Sequence, residues 1–127
     1  MCNLNPTKLT LYVCGWSSLL MGIIFFLFPH FYANLEGATF ENIAWLRNLG
    51  AALISVNGIG ALLAANNPKK EKKLYDIVLL ASCLETIALS WSTYQWEFTA
   101  SVAWLIIVPL ILATIVSIML LLFRPKR

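Results

Sequence analysis

The sequence predicts an all-α fold: a polytopic membrane protein built as an antiparallel bundle of four transmembrane helices. Three observations carry this. The 127 residues are 60% hydrophobic and only 12% charged, with a mean hydropathy of +0.78. Soluble domains are about a quarter charged, so the composition is that of a chain whose solvent is lipid. Four apolar runs, at about 9–28, 43–65, 74–94 and 100–123, each come close to the ~20 residues that cross a ~30 Å hydrocarbon core. Between them the basic residues cluster on alternate links. Residues 1–127 are expected to form a single transmembrane domain.

The first run, Leu9 to Phe28, carries no charge and ends at Pro29. A signal peptide has a shorter apolar core and small residues before its cleavage site. This run instead ends on Phe28-Pro29-His30-Phe31-Tyr32, which predicts a retained first helix. Gly15, Ser18 and Gly22 recur along it as a small-residue seam that admits another helix closely. The link over 29–42 is the longest and leaves room for a short amphipathic piece on the surface. Thr39 is its candidate N-cap for the next helix and Glu41 a first-turn acid. The aromatic residues Phe28, Phe31, Tyr32, Phe40 and Trp45 suit a membrane interface.

The second run, IAWLRNLGAALISVNGIGALLAA over 43–65, is the anomaly. It is long enough to span, yet it carries Arg47, Asn48 and Asn57. It ends at Asn66-Asn67-Pro68, before the run Lys69-Lys70-Glu71-Lys72-Lys73. The third run has Asp76 in its first turn and Glu85 at its centre. Residues 95–99 make a tight turn, and the fourth run contains Pro109.

Four spans put the N-terminus, the middle link and the C-terminus on one side. Eight of the nine Lys and Arg residues fall there; the opposite links hold Glu36, Glu41, Glu97 and His30. The positive-inside rule makes both termini cytoplasmic, in a plasma membrane of the bacterial inner-membrane kind. The formal charge of +3 is accounted for by topology and predicts no nucleic-acid partner. Cys2, Cys14 and Cys83 lack metal-ligand spacing and read as small buried hydrophobes. No metal or cofactor is expected. The sequence holds no P-loop, nucleophile elbow, H-E-x-x-H or C-x-x-C.

The candidate site lies at the intramembrane polar residues. A rise of about 1.5 Å per residue puts Arg47 roughly 6 Å and Glu85 roughly 14 Å from the outer surface. An ionised carboxylate at that depth costs about 2.5 kcal/mol or more, so Glu85 should face the bundle and find a partner or be protonated. The helical wheel agrees: Ala81, Ser82, Ala88 and Ser92 share its face, with Leu80, Leu84, Ile87 and Trp91 opposite. Arg47 shares a face with Gly50, Ala51, Ile54, Gly58 and Ala61, which predicts that it too looks inward. Two arrangements remain open to it: an ion pair with Glu85, or snorkelling outward towards Glu36 or Glu41. Ser18, Glu85, the carbonyl freed by Pro109 and, deeper, Asn57 are positioned to line one polar pocket. Alternatively each locks helix register by a hydrogen bond worth about 0.6 kcal/mol. The candidate binding residues are thus Arg47, Asn48, Asn57, Ser18 and Glu85, and Glu85 is the candidate catalytic residue.

The segment Arg47-Asn48-Leu49-Gly50, with Gly58 and Gly60 later in the same helix and a basic turn after Pro68, resembles small DoxX-like membrane proteins over about residues 43–90. The resemblance implies a four-helix fold, and some proteins of that type are implied to work near quinones or in redox complexes. Two function classes follow for this chain. One is a binding or accessory membrane subunit, with the bilayer, a lipid-like small molecule, a partner membrane subunit or a second copy as its partner. The other is a redox accessory or enzyme acting on a quinone or lipid-like substrate, with Glu85 as proton donor or acceptor. Transport ranks last, because the inner half offers only Asn57, Ser82 and Cys83 to a polar path.

Overall fold

A computed structural model describes residues 5–36, 43–95 and 104–125. Within them the chain is all helical: α1 (Pro6–Leu27), α2 (Pro29–Glu36), α3 (Ala44–Asn66), α4 (Lys72–Tyr94) and α5 (Trp104–Leu122). Helices α1, α3 and α4 are each long and apolar enough to cross a membrane. The apolar α5 is shorter, at 19 residues, with Pro109 inside it. The protein is a small all-helical membrane protein with buried polar groups.

Local chemistry accounts for the helix ends. The first helix begins at Pro6, three residues before the apolar run. Asn5 caps it, its Oδ1 accepting from the Thr7 N–H at 3.1 Å, and Pro6 stands at the first helical position. Pro29 divides α1 from α2: the Phe28 N–H still donates to Ile24 C=O, and Pro29 opens the next helix. The allowed surface piece is therefore a real helix. It is anchored by Tyr32, whose ring meets Phe25 edge-on at 4.5 Å, while Phe28 and Phe31 stay exposed. The expected N-cap Thr39, and Glu41 and Phe40 with it, lie outside the described residues. Helix α4 starts two residues before the apolar run, which moves Asp76 from the expected first turn into the second.

One irregularity was not anticipated. Helix α3 is α-helical over Ala44–Ala52 and Ala61–Asn66, but Leu53–Gly60 between them winds as a π-helix. Such segments are rare and concentrate at functional sites.

The helices run up and down in turn. Gly15 on α1 abuts Gly58 and Leu62 of α3, whereas Gly22 abuts Gly50 and Ile54, so the two helices are antiparallel. A Cβ on Gly22 would lie 2.9 Å from the Gly50 carbonyl oxygen, and one on Gly50 would lie 2.8 Å from that of Gly22. The two backbones touch, as the small-residue seam predicts. Helix α4 pairs antiparallel with α5: Asp76 binds Arg124 near one end, and Thr86 Oγ1 meets Ser117 Oγ at 3.0 Å further along.

Burial falls into two clusters. One holds Leu11, Cys14, Ala61, Ala64, Ala65, Tyr75, Val78, Leu79, Val116 and Leu120, at the end where α1 begins and α5 finishes. The other holds Phe25, Tyr32, Ala33, Leu46 and Leu53, at the opposite end. A ring of exposed apolar side chains, among them Trp16, Leu20, Leu80, Ile87 and Trp91, faces outward as lipid-facing residues should.

Candidate functional site

A cavity of about 830 Å³ opens between α1, α2, α3, α4 and α5, within the size range of small-molecule sites. Its walls at one end are Phe25, Tyr32, Trp45, Leu46 and Leu49; at the other they are Cys14, Ser17, Ser18, Asn57, Ser82 and Glu85. Pro109, Leu112 and Ala113 of α5 close one side. From Trp45 to Asn57 the cavity follows twelve residues of α3, or roughly 18 Å of helix.

The polar end is built on one contact between helices. Asn57 Nδ2 donates to Glu85 Oε2 at 2.9 Å. Asn57 is 5% exposed, and its Oδ1 is buried with no hydrogen-bond partner. Beside it, the Cys14 thiol approaches the Asn57 carbonyl at 3.8 Å and Ser82 Oγ at 3.9 Å. These are weak contacts, but they join α1, α3 and α4 at one level. Ser17 satisfies itself against the Cys14 carbonyl at 3.1 Å. Thr86 Oγ1 bonds back to the Ser82 carbonyl at 2.9 Å and links this level to Ser117 of α5.

Helix direction explains why Asn57, and not Arg47, meets Glu85. By residue count Asn57 lies about 21 Å and Glu85 about 14 Å from the ends of their helices on the Trp45 side. Every Cα–Cβ bond tilts towards its own helix N-terminus. In antiparallel α3 and α4 that tilts Asn57 towards that end and Glu85 away from it, so the two side chains close the gap. The same tilt drives Arg47 away from Glu85.

Of the five candidate binding residues, Ser18, Asn57 and Glu85 line the cavity together. Arg47 and Asn48 do not: both are exposed. The inward-facing reading of Arg47 is therefore corrected. The buried edge of α3 at this level is Leu46, Gly50 and Leu53, and the close approach of α1 at Gly50 fills the space beside it. No ion pair joins Arg47 to Glu85 among the bonds of the described residues; the pairing found is Arg124–Asp76 at 2.9 Å, near the opposite end of the bundle. Ala81, Ser82, Ala88 and Ser92, which the helical wheel puts on the face of Glu85, all line the cavity, but so does Leu84, which the wheel places opposite. Sequence reasoning passed over Cys14 and Ser17 as site residues. Their signal was present, since both lie next to Ser18 on the seam that faces α3.

Comparison with protein families, with functionally characterised proteins and with solved structures finds no match to this chain. Nothing therefore ties it to the DoxX-like group beyond the resemblance in residues 43–90.

Proposed function

We propose that this is a four-pass integral membrane protein, with both termini cytoplasmic, that acts as a binding or accessory subunit. Its cavity takes a lipid-like molecule. The observation that supports this reading is the combination in one place of an elongated apolar chamber with a single hydrogen-bonded polar floor, Asn57–Glu85. Binding sites for small molecules are built this way: mostly apolar walls for affinity, and few polar groups for orientation. A register lock needs the hydrogen bond alone. It does not need the chamber beside it, nor the acceptor left unpaired on Asn57.

The orientation draws on the charges at the end where α1 starts. Lys8, the lysines at 69, 70, 72 and 73, and Arg124 with the basic tail all belong to it. A four-helix, DoxX-like relationship is part of this proposal and has residues 43–90 as its support.

The reading is tested by purifying the protein in mild detergent and recording its native mass spectrum. Wild type should retain a bound lipid-like mass. Ala113→Phe, which projects a ring into the chamber, should lose it while keeping its fold. A wild-type spectrum without any retained mass, across detergents that preserve the fold, would contradict the proposal.

The second reading, an enzyme or redox accessory with Glu85 as proton donor or acceptor, is favoured by one observation: Glu85 is a carboxylate on the cavity wall. It separates from simple binding through Glu85→Gln. Under the binding reading that variant changes affinity only; under the enzymatic reading it retains ligand but abolishes turnover.

A further inference from the structure

Resting on the reading that the chamber is a binding site, we infer that its ligand is an elongated apolar molecule with a hydrogen-bond donor head, a hydroxyl or an amine, seated head-inward on Asn57 and Glu85. The polar end of the chamber is rich in acceptors. Asn57 Oδ1 is buried and unpaired, which costs about 1–3 kcal/mol unless something donates to it. Asn57 occupies only one oxygen of Glu85, and a carboxylate accepts at both. An ammonium head, with three N–H donors, can answer both groups; a hydroxyl has one hydrogen and answers one of them.

The charge of the walls narrows the class. Among the described residues lining the chamber there is a carboxylate and no Lys or Arg, since Arg47 lies outside. An anionic head such as a phosphate or a carboxylate would meet Glu85 with nothing to neutralise it. The direction of the chamber narrows it further. Its polar end is deep in the bundle and its apolar, aromatic end, with Trp45 and Tyr32, is near the outer end of α3. Bilayer phospholipids carry their large heads at the interface, the reverse arrangement. The occupant must bring a small head inward, one cheap enough to strip of water, and leave its tail along the apolar, aromatic end. Single-chain alcohols and sterol-like or phenolic alcohols satisfy this directly, and a long-chain amine does so by pairing its ammonium with Glu85.

The test titrates the full-length protein, in detergent, with four probes of equal chain length: hexadecanol, hexadecylamine, the methyl ether of hexadecanol, and hexadecanoate. Occupancy is read by native mass spectrometry. The alcohol, the amine or both should bind roughly tenfold more tightly than the ether, and hexadecanoate most weakly. A preference for the amine alone assigns the main role to the charge of Glu85; a preference for the alcohol alone assigns it to Asn57. In Asn57→Leu the alcohol should lose its advantage over the ether. If that variant fails to fold, Glu85→Gln serves instead, and should remove the advantage of the amine. Equal binding of all four probes would overturn the donor-head inference and leave the chamber a binding site. Binding of none would overturn both.

Discussion

The two ends of this bundle are made of the same kinds of residue and are built in opposite ways. At the end where α1 begins, the helices close on one another. Tyr75 is fully buried and donates its hydroxyl to the Leu120 carbonyl at 2.6 Å; Thr7 Oγ1 donates to the Phe123 carbonyl at 2.9 Å; Asp76 holds Arg124 at 2.9 Å. Ala61, Ala64 and Ala65 are completely buried there, so α3 presents almost no side-chain bulk and its neighbours pack onto its backbone. At the other end α1 and α3 still touch at Gly22 and Gly50, but α4 and α5 stand off and the 830 Å³ chamber opens between them. The floor of the chamber, Asn57–Glu85, sits at the boundary. Among the described residues, side-chain hydrogen bonds to backbone carbonyls thus clamp one end, while the other holds a polar pair beside a chamber.

The most disruptive way to break this contrast is to overfill the clamped end. Ala64→Phe should destabilise the fold by about 3 kcal/mol or more, since overpacking a dense core forces backbone shifts. The matching insertion at the open end, Ala113→Phe, should cost less than about 1 kcal/mol, because the chamber accepts the ring. Reversible unfolding in mixed micelles measures both, and equal costs would mean the chamber is closed in the bilayer. Next in size is the backbone contact. Gly50→Ala places a methyl 2.8 Å from the Gly22 oxygen and should cost about 1–2 kcal/mol, with Gly22→Ala similar. The two together should cost less than their sum, because either one alone already separates the helices. Smaller still is Tyr75→Phe, which deletes one hydrogen bond inside the membrane and should cost about 0.6 kcal/mol, up to about 1.7. Asp76→Asn should cost least, below about 1 kcal/mol and less in high salt, because that pair is about a third to a half exposed.

Much of this was legible in the residues. The length and apolarity of the runs set the helices, and Pro29 and Pro68 marked their ends, because in lipid the backbone has no alternative to helix. The orientation of Glu85 was legible because α4 segregates small from bulky residues around it. Arg47 was not. It also stands on a small-residue face, but on α3 that face is shared between two neighbours, and a one-residue difference in register decides whether Leu46 or Arg47 turns inward. The partner of Glu85 was missed for a related reason. Comparing depths alone placed Asn57 too deep, while the opposite tilts of the Cβ bonds on antiparallel helices bring the two together. The π-helical winding of Leu53–Gly60 was not legible: its residues read as an ordinary apolar helical run.

The central claim is that Asn57, and not Arg47, holds Glu85 at the chamber floor. Infrared difference spectroscopy tests it most directly, with the carboxyl band of Glu85 assigned by its loss in Glu85→Gln. Asn57→Leu should shift that band, and Arg47→Gln should leave it where it is. A band that moves in Arg47→Gln and stays fixed in Asn57→Leu would contradict the account.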